Sequence, residues 1–463
     1  MSVQSFKKGS RLIAANYRPV SLTSIVCKVM EGFVRDELLK YMKSECLIAN
    51  EQHGFVPGKA CVTNLLETLD IVTKAVANGL SVDVIYLDFL KAFDMVPHKR
   101  LLLKLRGYGV KGDLLNWFES FLKDRRQRVI LGDVVSDWEK VTSGVPQGSV
   151  LGPLLFVIFI NDLPSILENY CKLYADDSKI IAIIKDELSN ESLQKDIDSV
   201  TDWTKNWLMR LNATKCKVMH FGVDDDKYKY EIDDLSTDKR SSLEESECER
   251  DLGVHVASDL KWRYHVNEIA SRANRVLGSL MKTFISRDSL LWKKLYVSLV
   301  RPHLEFASAV WNPYLEGDEK VLENVQRRAM RIPFSLRKMS EDERLKSWGL
   351  TTLKERRVRG DLIQMYKSVN GFEIFDWHTG PQFIESQRST RAATSNSKRM
   401  RTDGFKARQA NDFCHFVNVR HNFFLNRVTR HWNKLNDSQI LATSVNSFKS
   451  RIDSIRSETA ATA

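Results

Sequence analysis

The chain is 463 residues long, with 43% apolar residues, 28% charged residues, a formal net charge of +11 and a pI near 9.1. That is length for two or three domains with a full core, in the composition of an ordinary soluble protein. The cationic surplus favours a polyanionic partner, because each phosphate neutralised releases counterions.

Seven cysteines (Cys27, Cys46, Cys61, Cys171, Cys216, Cys248 and Cys414) are scattered, odd in number and without a C-x-x-C pair. A disulfide framework and a zinc knuckle are thereby excluded, which suits a reducing compartment. MSVQSFKKGS at the start has no apolar core for a signal peptide, and the longest apolar run, Val150 to Ile160, is too short to cross a bilayer. The expectation is a nuclear or cytoplasmic protein, not secreted, with no membrane function.

In chain order, an extended piece around Arg18 leads to Ser24 as an N-cap. Ile25, Val29, Phe33 and Leu38 or Leu39 then recur at helical spacing. EQHGFVPGKACVTNLLE follows as a Gly/Pro loop with Lys59, then a second helix. SVDVIYLDFL reads as a strand whose alternation puts Val84, Tyr86 and Asp88 on one face. An acid ending a buried strand is costly without a partner. Asp94, just beyond, reads as a helix-start carboxylate, and Asp113 opens a short amphipathic helix. SGVPQGSVLGP, Ser143 to Pro153, is rich enough in glycine to let backbone approach a ligand, and it runs into the apolar helix LLFVIFINDL.

KLYADDSKIIAII, Lys172 to Ile184, reads as a tight hairpin with Asp176 and Asp177 at its tip. Leu188 to Leu208 is a helix, NATKCKVMHFG a strand, and residues 223–250 an acidic, polar hairpin or linker. From Asp251 onward the periodicity is mostly helical. Residues 327–360 carry eleven Lys or Arg against four Asp or Glu, a credible phosphate-tracking surface, and 385–412 reads as a mobile polar loop.

Two adjacent carboxylates at a strand turn repel each other unless a cation shares the site. If the strand ending at Asp88 lies beside the hairpin of Asp176 and Asp177, three carboxylates converge on a patch able to hold two Mg²⁺ about 3.5 to 4 Å apart. Hard oxygen donors without a His or Cys cluster favour magnesium, with Mn²⁺ as the alternative. The reaction class is then phosphoryl transfer.

LDFLKAFD, SGVPQGSVLGP and YADD, in that order, resemble the palm motifs of reverse transcriptases, in the long forms of non-LTR (LINE-type, jockey-like) retrotransposons. NYRPVSLTSIVCKVME and EQHGFVPGKACVTNLLE resemble that family's fingers; DLGVHVASDLKW and LVRPHLEFASAVWNPY resemble its thumb region. The resemblance implies an α/β right-hand polymerase of fingers, palm and thumb with a mostly helical C-terminal half. Fingers and palm would occupy 11–222, a polar linker or hairpin 223–250, and thumb plus a nucleic-acid-binding region 251–463.

It also implies roles. Asp88, Asp176 and Asp177 are the metal ligands, with the main-chain carbonyl of Phe89 a further one. Phe93 lies under the sugar and excludes a 2′-hydroxyl, Gln147 and Gly148 contact the incoming nucleotide, Lys215 sits near the leaving phosphate, and Arg18 is a fingers contact. Partners are an RNA template, a DNA primer or target, and dNTPs. Leu90 and Val56-Pro57 depart from the family pattern without removing a ligand. No N-terminal endonuclease and no acidic cluster with RNase H spacing is evident in the sequence. The rival readings are an RNA-templated RNA polymerase, against which Phe93 argues, and a catalytically silent RNA-binding protein, against which the three acids argue.

Overall fold

The structure is a computed structural model, described here for residues 2–6, 10, 17–131, 133–223, 227–234, 239–384, 396–406 and 412–461. The chain forms two compact units: Met1–Ala60 with Asp83–Met219 and Asp226–Glu245, and Cys61–Val82 with His220–Asp225 and Ser246–Ala463. The helix after the EQHGFVPGK loop therefore packs with the C-terminal part of the chain, and much of the stretch read as a linker packs with the first unit.

The first unit is built from β1 (Tyr17–Ser21), α1 (Ile25–Ser44), β2 (Ser81–Leu87), α2 (Ala92–Met95), α3 (Gly152–Ile160), β3 (Tyr170–Tyr174), β4 (Asp177–Ile184), α4 (Glu187–Trp207), β5 (Lys217–Phe221) and β6 (Glu244–Glu245). Five of these strands make one sheet in the order β6-β5-β2-β4-β3. β2 and β4 are interior and covered on both faces, so they read as continuous apolar runs: Val84, Ile85, Ile180, Ile181 and Ala182 are all fully buried. α3 is apolar all round because it is the core helix of this unit, started by Pro153 in its first turn. Asp186 caps α4 by accepting from the Ser189 N–H at 2.9 Å, and Leu193, Ile197, Val200 and Trp203 turn its apolar stripe onto the core.

Ser24 caps α1 as expected, accepting from the Cys27 N–H at 3.2 Å. The helical spacing of its apolar residues holds, but burial divides along the helix. Leu38 and Met42 enter the core, whereas Ile25 and Phe33 are 81% and 71% exposed, with Val29 exposed between them. The residue that α1 buries at that end is Glu31. Of the acidic stretch 223–250, residues 231–234 and 239–242 pair as a hairpin; Asp224, Asp225 and Asp226 lie outside the described residues.

The second unit is mostly helical. α5 (Cys61–Ala77) packs with α6 (Asp412–His421), and Arg420 of α6, fully buried, reaches Asp70 at 2.8 Å, Thr73 at 2.9 Å and Asp403 at 2.6 Å. A buried guanidinium survives only with such partners. The stretch 385–412, read as a mobile loop, falls largely outside the described residues. Among the described residues no helix is long and apolar enough to cross a membrane.

A hairpin of Cys248–Asp251 and Val254–Ala257 packs on the helix Arg263–Thr283, burying His265. The His265 Nδ1 accepts the His255 N–H at 3.1 Å, and the ring meets Trp311 edge-on at 4.9 Å. Burial, with the nearby charges of His255 and Arg250 adding the same sign, pushes its pKa down to about 3. The unfolded chain takes up a proton at His265 below pH 6.5 that the folded chain refuses. This contribution therefore leaves stability untouched above pH 6.5 and removes about 1.4 kcal/mol per pH unit as pH falls from 6.5 towards 3. His265→Gln keeps an acceptor without a titrating group. Thermal melts from pH 4 to 7 should show a flatter acid limb for the variant; identical limbs would contradict the burial account.

Candidate active site

Asp88 directly follows β2, where the chain is held by main-chain contacts to the segment 210–216. The Leu90 N–H donates to the Arg210 carbonyl and the Asn212 N–H to the Asp88 carbonyl, both at 2.8 Å. The Asp88 N–H itself donates to the Cys216 Sγ at 3.4 Å. Lys215 and Cys216 turn back on the Asn212 carbonyl, which brings the Lys215 Nζ to 3.0 Å from the Asp88 carboxylate. Lys215, expected near a leaving phosphate, thus sits on the first acid, in a pair whose side chains are 55% and 42% exposed.

β3 and β4 form the predicted hairpin, with Tyr174 opposite Asp177 and a two-residue turn of Ala175 and Asp176. Asp176 is half-buried and Asp177 exposed. Ala175 takes a left-handed conformation, φ 56°, which an alanine adopts only when its surroundings dictate it. They do. The segment Glu51–Gly54 runs along β3, exchanging main-chain bonds with Leu173 at 2.9 Å, and the buried Gln52 Oε1 accepts both the Ala175 N–H at 3.0 Å and the Gly54 N–H at 2.7 Å. A Cβ on Gly54 would lie 2.4 Å from the Ala175 nitrogen, so only glycine lets the two backbones meet.

The sheet order makes the strand that ends at Asp88 the neighbour of the strand that starts at Asp177. The candidate donors there, Asp88, Asp176 and Asp177, are carboxylates, and the Cys216 thiol beside Asp88 is buried and accepts the Asp88 N–H, which fits a hard divalent cation in kind. Among the described residues no group of three or more His, Cys, Asp or Glu is already spaced to hold an ion, and the Asp88 carboxylate is engaged by Lys215.

The SGVPQG loop is stitched to the turn that carries Phe93. The Gly144 N–H donates to the Val96 carbonyl and the Val145 N–H to the Phe93 carbonyl, each at 2.8 Å, and the Ser143 hydroxyl donates to the Asp94 carbonyl at 2.9 Å. Phe93 is half-buried and stacked on Phe156 of α3, centroids 4.4 Å apart. The Gln147 Nε2 donates to the Asp94 carboxylate at 2.8 Å. A carboxylate only accepts, so this bond fixes the amide and turns its Oε1 away from Asp94. Asp94, read as a helix-start acid, is the orienting partner of Gln147. Gly148 has φ 98° and lies against the Ser21 carbonyl, where a Cβ would approach to 2.8 Å. Glu31, buried in α1, accepts the N–H groups of Val150 at 2.7 Å and Leu151 at 3.1 Å, so it satisfies donors just before α3.

Arg18 lies on β1, and its side chain is outside the described residues. Lys59 folds back onto the Asn50 carbonyl. Sequence reasoning singled out the acids, the aromatic and the PQG turn, and did not single out Gln52, Gly54, Glu31 or the Asp94 contact with Gln147. EQHGF offered a readable signal, a glycine flanked by bulky residues ahead of the Val56-Pro57-Gly58 turn.

Gly54→Ala should lower the melting temperature by several degrees, since overpacking against backbone typically costs 1 to 3 kcal/mol. Gly32→Ala in α1, where a Cβ meets nothing within 4 Å, should be neutral or slightly stabilising. Equal melts for the two variants would mean that Gly54 does not touch the turn.

The profile of the family described as reverse transcriptase (RNA-dependent DNA polymerase) matches residues 6–256. The RNA-directed DNA polymerase from mobile element jockey of Drosophila melanogaster is 31% identical over 215 residues, 44% of this chain and 23% of that one. The probable RNA-directed DNA polymerase from transposon X-element of the same organism is 24% identical over 327 residues, 69% of this chain and 35% of that one. The chain thus spans about a third or less of the length of these relatives. Among solved structures, apo telomerase from Candida tropicalis aligns with a TM-score of 0.42 at 10% identity, over 78% of this chain and 60% of that one. Motifs in order on neighbouring strands, and a profile match over more than half the chain, make this a member of the reverse transcriptase family, of the non-LTR retrotransposon kind and with its α/β right-hand polymerase fold.

Proposed function

We propose that the chain is an RNA-directed DNA polymerase that extends a DNA primer 3′-hydroxyl with dNTPs on an RNA template. The observation that carries the reading is that Asp88 follows the strand next to the one that leaves the Ala175–Asp177 turn, in a chain of this family. Fingers and palm over 11–222 and a thumb with a nucleic-acid-binding region over 251–463 belong to the same proposal. So does a nuclear or cytoplasmic location, in keeping with six described cysteines that are all free.

Asp88, Asp176 and Asp177 would hold two Mg²⁺, or Mn²⁺ in its place, with the Phe89 carbonyl as a further ligand. Metal held by these residues would supply Lewis acidity to the attacking hydroxyl and countercharge to the departing pyrophosphate. The chain's own residues do the rest. Lys215 neutralises Asp88 until its ammonium is displaced, which leaves it beside the departing phosphate. Asp94 holds the Gln147 amide, so Gln147 and Gly148 meet the incoming nucleotide in one fixed orientation. Arg18 contributes from the fingers. Phe93, held from behind by Phe156, closes the space a 2′-hydroxyl would need.

Asp176→Asn conserves size and removes charge. Primer extension on an RNA template should fall by orders of magnitude while template binding persists, and extension near the wild-type rate would sink the two-metal assignment. Phe93→Ala should admit rNTPs with limited loss of dNTP use. Discrimination of about 10³ corresponds to about 4 kcal/mol, within reach of a steric clash in a closed site. The stack on Phe156 gives Phe93 a packing role as well, so incorporation is read beside a thermal melt: a destabilised variant with unaltered sugar preference would refute the gate.

A further inference from the structure

The eleven basic residues of 327–360 do not form one surface. Five are committed to carboxylates of the second unit: Arg327 to Glu341, Lys354 and Arg357 to Glu319, Arg356 to Glu305 and Arg359 to Asp453. Arg344 is buried and spends its guanidinium on the carbonyls of Leu336, Arg337 and Met339. Arg328, Arg331, Arg337, Lys338 and Lys346 remain solvent-facing, and four of these five lie between residues 328 and 338.

That segment has features a solvated charge run lacks. It is rigidly built: Ile332 and Leu336 anchor it in the core, Arg344 turns three of its carbonyls inward, and a Ser340–Glu343 capping box closes it. It holds up Phe334, which is 65% exposed, with the Arg337 guanidinium 4.4 Å from its ring centroid. No acidic residue occurs from 327 to 340, and the adjoining helix Ser289–Leu295 adds the exposed Lys294. An exposed aromatic face among fixed cations is the arrangement that stacks an unpaired base while neutralising its flanking phosphates.

We propose that Phe334, with Arg331, Arg337 and Lys338, is a single-stranded nucleic-acid contact, Phe334 stacking an unpaired base and the cations tracking the backbone. The proposal rests on the reading of 251–463 as a nucleic-acid-binding region and uses none of the three carboxylates, so it is tested without dNTPs and in EDTA. Anisotropy of the full-length chain is measured with a labelled oligouridylate of about 20 nucleotides and with a blunt RNA–DNA duplex of the same length. Phe334→Ala should weaken binding of the single strand by roughly tenfold or more and leave the duplex unchanged, with Phe334→Trp restoring it. The pair Arg331→Glu and Lys338→Glu should flatten the log-log salt dependence by about 0.7 per lost contact. Exposed positions should leave the melting temperature at the wild-type value. Superimposable binding curves and salt slopes for all variants overturn the proposal and leave the ring as a docking point for protein. Equal loss by Phe334→Ala on the duplex, which has no unpaired base to stack, overturns it too.

Discussion

The first unit depends on main-chain contacts that fix three acidic residues beside the ends of two neighbouring strands. Asp88 follows β2, and Asp176 and Asp177 lie at the turn into β4, its neighbour in the sheet, so the three carboxylates need both countercharge and a fixed place. The fold answers with two devices of unequal strength. Lys215 supplies countercharge, but both partners are about half exposed, and such a pair is worth about 1 kcal/mol at most. Main-chain bonds supply position: the 210–216 segment fixes the chain on either side of Asp88, and Glu51–Gly54 fixes the turn that carries Asp176. Asp88 is thus firmly placed and only loosely neutralised. A cation held at Asp88 would have one ammonium to displace and no strand contact to break.

The same economy governs the nucleotide loop. Residues 143–151 run through three anchors, the Phe93–Val96 turn, the Ser21 backbone and the Glu31 carboxylate. Glu31 is buried, yet it faces two N–H groups ahead of α3, where the helix dipole favours an anion. Removing its charge would leave those donors with a weaker acceptor and α1 without its tie to the loop. Gln147 is held at two points: Asp94 fixes its side-chain amide, and the Ser21 N–H donates to its main-chain carbonyl at 2.7 Å.

What was legible in the sequence follows from range. Period-two runs ending in acids, a two-residue turn and a capped helix are local patterns, and β2, the β3–β4 hairpin, α1 and α4 appear where they were expected. Partners of buried polar groups are set by contacts across more than a hundred residues, Gln52 with Ala175 and Glu31 with Val150, and so is the half-exposed pair of Lys215 with Asp88. No periodicity encodes these, because each answers a backbone donor or charge whose burial is decided by the whole fold. Gly54 was visible as a glycine, but not that its missing Cβ makes room for Ala175. The burial of α1 was not legible for the converse reason. Spacing says that Ile25, Val29 and Phe33 share a face, and nothing in spacing says that anything covers it.

The basic surplus of the second unit teaches the same lesson about charge. Arg344, Arg357 and Arg420 are buried, and Arg427 grips the Asp361 carboxylate with two bonds of 2.9 Å, so much of the arginine count is structural. A guanidinium offers five donors in a plane, enough to satisfy several carbonyls or two carboxylates at once, which suits a helical unit full of helix ends. Net charge therefore overstates the charge a phosphate would meet. The informative quantity is the set of cations left over once internal acceptors have been served, and within 327–360 most of that set lies near an exposed ring on a segment that a buried arginine braces.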